Sequence, residues 1–214
     1  MIVTIVDYGS GNLRSVAKGF ERAKLEAGLT MAIEVTSSPA RVALADRIIL
    51  PGVGTFADCK RGLEAIPGLL EALKSVVCDG GRPFLGICVG MQLMAEQGLE
   101  NGVTDGLGWV RGSVDKITAP NERLKIPHMG WNETYYQNKS NIFTKIKNKS
   151  FFYYVHSYEC VPLNKDVITS YTNYGNRICS SIENENIIAT QFHPEKSGSN
   201  GIKIYKNFID GLVK

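Results

Sequence analysis

The stretch RPFLGICVGMQLMAEQG, residues 82–98, places one cysteine between two glycines, after an apolar run and before a helical pattern. Gly86-Ile87-Cys88-Val89-Gly90 has the form glycine–x–nucleophile–x–glycine at a strand-to-helix junction. Such an elbow is so tight that side chains at the flanking positions would collide, which accounts for the glycines. It lifts the sulfur out of the sheet and sets it at a helix N-terminus, where the peptide dipoles favour thiolate. The Val89 N–H is then left free to face an oxyanion. The competing reading is a buried structural cysteine after a core strand, and the paired glycines weigh against it.

Outward from this elbow, apolar strands alternate with helical patterns. Residues 2–6, 33–36, 47–50 and 83–87 read as short strands. Leu13, Val16, Ala17, Phe20 and Ala23 share one helical face in a segment ending near Ala27. Ser38-Pro39 reads as an N-cap followed by proline at the first helical position, and Pro67-Gly68 as a break in the helical pattern that runs to about Asp79. Alternation of this kind predicts a mostly parallel sheet with helices on both faces. From about Leu107 the pattern changes to short strands at 109–110, 114–117, 134–136, 151–155, 167–171, 178–182 and 187–192, and a helix returns at 202–212. The expected architecture is therefore one α/β domain over residues 1–214, with an open mixed sheet and antiparallel hairpins in its second half.

Composition excludes several classes. The net charge of +3 gives no ground for nucleic-acid binding, and no apolar run approaches the ~20 residues of a membrane span. The N-terminus has no basic leader, so no signal peptide is read there. Five scattered cysteines, without zinc spacing, read as free thiols in a cytoplasmic protein that binds no metal. The basic stretch 139–149 reads as a solvated loop.

A thiolate nucleophile needs a base, and the chain has three histidines, His128, His156 and His193. His193 follows the strand at 187–190 in Gln191-Phe192-His193-Pro194-Glu195, where Pro194 stiffens the turn and Glu195 is close enough to orient an imidazole. Cysteine, histidine and acid form the triad logic of covalent acyl transfer. Pro51-Gly52-Val53-Gly54, after an apolar strand, has the composition of an oxyanion loop, although a tight turn would need the same glycines.

These pieces, in this order, resemble the class I glutamine amidotransferases. Within that family the chain resembles the glutaminase branch serving imidazole glycerol phosphate synthase. The branch-level motifs are DYGSGNLRS (7–15), PGVGTF (51–56), PHMGWN (127–132), YYVHSY (153–158) and QFHPEKS (191–197). The resemblance implies glutamine as substrate, a Cys88 thioester, His193 as proton carrier, Glu195 as its orienting acid, and no cofactor. It implies oxyanion contacts from Gly52, Val53 and Val89, with the Gly52–Val53 peptide as a switch that turns when a partner docks. It also implies that Gln92, Glu100, Ser157 and Tyr158 hold the substrate, and that Asn12, Trp131, Tyr153 and Lys196 meet the partner. That partner is a separate (β/α)8 cyclase subunit, forming a heterodimer and receiving the ammonia through a tunnel. His128 and His156 are read as structural or interfacial. The alternatives left open are a paralogous glutaminase for cell-surface sugars, a catalytically silent regulatory module, and an unrelated thiol hydrolase.

Overall fold

The computed structural model describes residues 1–118 and 124–210. In chain order β1 (Ile2–Val6), α1 (Leu13–Ala27), β2 (Ala32–Thr36), α2 (Pro39–Val42), β3 (Arg47–Gly52), α3 (Phe56–Glu64), α4 (Leu69–Lys74), β4 (Phe84–Cys88) and α5 (Val89–Gln92) make up the first half. The second half comprises β5 (Ala95–Gly98), β6 (Thr104–Asp105), β7 (Val110–Lys116), β8 (His128–Tyr136), β9 (Ser150–His156), β10 (Tyr158–Pro162), β11 (Ile168–Tyr174), β12 (Asn176–Asn184), β13 (Ile187–Thr190) and α6 (Gly198–Ile209). The final helix was expected to reach residue 212, but residues 211–212 lie outside the described ones.

Among the described residues, nine strands form one sheet in the order β2-β1-β3-β4-β13-β12-β11-β8-β9. From β2 to β13 neighbouring strands are parallel, and from β13 to β9 they are antiparallel. Both β3 and β4 are buried along their whole length, which is why they read as unbroken apolar runs rather than alternating ones. On one side of the core Phe20 of α1 stacks on Tyr205 of α6 with ring centroids 4.1 Å apart. From β1 the chain steps one way to β2, then back past β1 to β3. That reversal opens a crevice at the carboxyl ends of the parallel strands, where open α/β sheets bind ligands. The elbow, the 51–54 loop and His193 all follow such strand ends.

The structure departs from the sequence reading in several places. The helix after Cys88 is a single turn, and the chain re-enters extended structure at β5. There β5, β6, β7 and β10 form a second sheet in the order β10-β7-β5-β6. Strands β5, β6 and β10 had no counterpart in the expected pattern. Strand β8 begins at His128, well before the expected 134. The basic loop is solvated at Lys139, Lys145, Lys147 and Lys149, but Ile142, Phe143 and Ile146 pin it to the core. Ser38 makes no side-chain cap bond, although Pro39 does begin α2.

Candidate active site

Cys88 ends β4 with φ 55° and ψ −111°. A side chain held at positive φ costs about 1–3 kcal/mol, so packing must enforce the turn. The enforcing contacts are specific. A Cβ on Gly90 would lie 1.8 Å from the Leu50 carbonyl oxygen of β3, and one on Gly86 would lie 2.8 Å from the Gly90 oxygen. Any larger residue at 90 would part the elbow from β3. Because α5 is one turn long, its dipole gives a thiolate much less help than the sequence reading supposed, as the macrodipole grows with aligned peptides. The Val89 N–H, at the first position of that turn, has no intrahelical acceptor and remains available.

The titratable ring beside the nucleophile is that of His193. Its Nδ1 lies 2.8 Å from Glu195 Oε1, which can only accept, so Nδ1 carries a proton. Its Nε2 is buried and has no hydrogen-bond partner, and the nearby Cys88 acts on the ring electrostatically. Burial works against the imidazolium, but Cys88 and Glu195 outweigh it and push His193 up to about 10. The ring is fixed from behind. Its backbone N–H donates to the Tyr153 carbonyl at 2.9 Å, and Ser197 Oγ donates to its carbonyl at 2.6 Å. Tyr205 Oη lies 3.5 Å from Glu195 Oε2.

Cys88 and His193 open on a cavity of about 280 Å³, large enough for an amino acid. Val53, Val89, Gln92 and Glu100 line it, with Ser157, Tyr158 and Lys196. Gln92 Nε2 donates to the Tyr158 carbonyl at 3.0 Å and to Gln191 Oε1 at 3.1 Å. Both protons of the Gln92 amide are thus used within the fold. Glu100 Oε2 accepts the Phe56 N–H at the start of α3 at 2.8 Å, which anchors the carboxylate at the cavity wall.

The 51–54 loop is held in one particular arrangement. Gly52 is required by close approach: a Cβ there would meet Gly90 N at 2.8 Å and Val89 Cβ at 2.9 Å. The positive φ falls on Gly54, at 115°. The Val53 N–H donates to Ser10 Oγ at 3.0 Å, so it is committed to that hydroxyl.

Trp131, Tyr153 and Lys196 form one cluster. The two rings meet edge-on with centroids 6.1 Å apart, and Lys196 Nζ sits 5.5 Å from the Tyr153 centroid. Trp131 is 56% exposed and is flanked by exposed Met129 and Phe151, so it is a surface aromatic rather than part of the core. Asn12 stands at the start of α1 without a side-chain cap bond, and among the described residues no hydrogen bond or ring contact ties it to this cluster.

Sequence reasoning missed Ser10 and Gln191. Gln191 Nε2 lies 3.7 Å from Cys88 Sγ while its Oε1 receives Gln92, so it links the nucleophile to the cavity wall. Both belong to quoted motifs, but their partners lie far off in sequence. Among the described residues no group of three or more potential ligands could hold a metal ion, and no helix is long and apolar enough to cross a membrane.

The family model for glutamine amidotransferase class-I matches residues 4–212. The imidazole glycerol phosphate synthase subunit HisH of Brucella suis biovar 1 is 48% identical over 212 residues, covering 98% of each chain. The subunit of the same name from Pelagibacter ubique is 47% identical over 210 residues, covering 98% of this chain and all of the relative. Among solved structures, a GMP synthase-like protein of Thermoplasma acidophilum superposes with a TM-score of 0.68 at 22% identity, covering 98% of this chain and 92% of that one. A glutamine amidotransferase of Thermotoga maritima gives 0.62 at 13% identity, covering 99% and 84%. At these identities the two structures speak for the fold.

Proposed function

The chain belongs to the class-I glutamine amidotransferase family, and on that premise we propose how it works as the glutaminase subunit of an imidazole glycerol phosphate synthase. The Cys88 thiolate attacks the side-chain amide carbon of glutamine, and the carbonyl π pair moves onto oxygen. Val89 N–H stabilises that oxyanion, joined by Val53 N–H once the Gly52–Val53 peptide has turned from Ser10. His193 gives its Nε2 proton to the departing nitrogen as the C–N bond breaks, releasing ammonia and leaving a glutamyl thioester. Water then attacks the thioester, His193 takes its proton, and glutamate leaves as the C–S bond breaks. Glu195 keeps the ring oriented and its charge balanced throughout.

The substrate is held by its ends. Glu100 faces the α-ammonium, the Ser157–Tyr158 backbone receives the α-carboxylate, and Gln92 Oε1 meets the side-chain amide. Ammonia passes to a separate (β/α)8 cyclase subunit that docks on Trp131, Tyr153 and Lys196, with Asn12 at the rim, to form a heterodimer. The Glu195–His193 pair and Cys88, opening on one cavity of amino-acid size, carry this reading.

The test is Cys88→Ala in the assembled complex. Glutamate release should vanish while product formation from added ammonium salt persists, because the later chemistry belongs to the cyclase. Glutamate release at the unmodified rate would remove Cys88 from the mechanism.

A further inference from the structure

Two buried histidines outside the triad form a line of hydrogen bonds whose direction is fixed by its end. His156 Nδ1 lies 2.9 Å from the Tyr158 carbonyl oxygen, which can only accept, so this nitrogen carries the proton. In a neutral ring the other nitrogen must then accept. His128 Nδ1, 2.9 Å from His156 Nε2, therefore donates. His128 Nε2 is left as an acceptor, and Asn132 Nδ2 supplies a proton to it at 3.1 Å. The Asn132 amide is oriented independently, since its Oδ1 accepts the Glu133 N–H at 2.8 Å and its Nδ2 also reaches the Asn173 carbonyl at 3.0 Å. Every ring nitrogen along the line is used once. Burial keeps both rings neutral, pushing His156 down to about 3 and His128 down to about 4. Tyr154 and Tyr174 both stack on His128, with centroids 4.8 and 4.1 Å away, and hold its plane.

The line ends at an oxygen that also accepts Gln92 Nε2 at 3.0 Å. With both acceptor directions of the Tyr158 carbonyl occupied, the peptide plane after Tyr158 cannot rotate. The preceding carbonyl, that of Ser157, is held by the Ile117 N–H at 2.9 Å. Both residues line the cavity beside Cys88. We propose that His156 and His128 are positioning residues for glutamine: through the Tyr158 carbonyl they fix the Ser157–Tyr158 backbone and the Gln92 amide in the arrangement that grips the substrate. The inference rests on the glutaminase reading above. It gives the PHMGWN segment a task on each face of β8. Met129 and Trp131 point outward, while His128 lies buried on the opposite side.

Replacing His156 should weaken binding that is common to ground and transition states, so it should act on KM. In the complex with the cyclase subunit, His156→Leu should raise the glutamine KM about tenfold, equivalent to about 1.4 kcal/mol. Its kcat should stay within about threefold of the starting value, and ammonium-dependent turnover should be unaffected. His156→Asn puts an amide nitrogen where Nδ1 stood, keeps the donor to Tyr158, and should recover KM to within about threefold. If both variants lose kcat and thermal stability with KM unmoved, the residues are structural and the proposal fails. The unmodified chain offers a readout free of activity. In 15N NMR both rings should carry their proton on Nδ1, the minor tautomer in water, and stay neutral from about pH 5 to 8. A proton on Nε2 of either ring would overturn the line. A complex that releases no glutamate yet shows both Nδ1–H tautomers would instead refute the glutaminase reading and leave the line intact.

Discussion

The loop at Val53 is clasped by one hydroxyl, and removing it should wake the isolated chain. The Val53 N–H donates to Ser10 Oγ at 3.0 Å, and Ser10 Oγ lies 2.5 Å from the Val53 carbonyl oxygen, to which it can donate. The two peptides flanking Val53 are thus tied to one side chain. Turning the Gly52–Val53 peptide toward the cavity must break the first bond and loosens the second. A net hydrogen bond at an exposed position is worth about 1 kcal/mol, or about fivefold in an equilibrium, and two give at most about thirtyfold. An oxyanion donor contributes about 10²–10³ in rate. While the turned fraction is small, the basal rate is therefore nearly proportional to it. Ser10→Ala should raise glutamate release by the isolated chain about 5–30-fold at saturating glutamine. On the switch proposed above, the peptide is already turned in the complex with the cyclase ligand bound, and the rate there should change by no more than about twofold. An unchanged or lower basal rate in a variant of unaltered Tm would refute the clasp. An equal gain in both states would show that Ser10 acts elsewhere than on the switch.

A glutamine-like electrophile should modify Cys88 alone. Burial pushes Cys179 up to about 12 and Cys160 well above the usual thiol range, and raises Cys59 and Cys78 as well; peptide mapping that finds exposed Cys78 labelled as fast as Cys88 would defeat this. His193→Asn should cost about 10²–10⁴ in turnover and Glu195→Gln less, because only the histidine moves protons; equal losses in folded, partner-bound variants would count against these roles. His193 stands at about 10 partly through Glu195, so Glu195→Gln should move the alkaline limb of the pH–rate profile to lower pH, and an unmoved limb would contradict the assignment. Glu159 is raised to about 7, by burial first and also by Asp115, its cross-strand neighbour. The folded chain holds this proton where the unfolded chain has lost it, so the stabilisation is complete below the usual 4.5 and is lost as pH rises through about 7. Glu159→Gln should therefore raise Tm by a few degrees at alkaline pH and little under acid conditions; equal shifts at both would disprove the linkage.

The sequence showed what is local. Cys88 between its glycines, and His193 two residues from Glu195, declare themselves because strand, turn and partner lie within a few positions. Strands β3 and β4 were legible because they are buried on both faces and, after Arg47, read as apolar runs. The second sheet was not legible. Met91, Leu93 and Met94 are all buried, and a short buried strand and a buried helix share that pattern. What turns the chain into β5 is nonlocal: Gly98 lies so near Phe56 that a Cβ would come within 2.5 Å of its ring, and β5 pairs with β7. The Ser10 clasp and the Gln92–Gln191 pair were hidden for the same reason, being separated by 43 and 99 positions.

The placement of control follows from counting the bonds that a switch would break. His193 is held by its backbone N–H, by its carbonyl and by Glu195, all in a buried setting. Moving it would leave several buried polar groups unpaired, each costing about 1–3 kcal/mol. Val53 is 53% exposed, and water can replace what Ser10 gives up. Inactivating the chain at Val53 therefore needs little energy, whereas inactivating it at the triad would need a great deal. Strand β9 supplies the route by which docking could reach the loop's surroundings. Tyr153 takes the His193 N–H on its carbonyl, two residues on the Val155 carbonyl lies 3.9 Å from Cys88 Sγ, and the next residue is His156. One strand thus carries the ring proposed to meet the partner, a wall of the nucleophile's site and the histidine that hydrogen-bonds the Tyr158 carbonyl. On the docking proposed above, a partner pressing on Tyr153 would act on an element that already touches the nucleophile, and the Gly52–Val53 peptide, held at an exposed position, is the part that can respond at low cost.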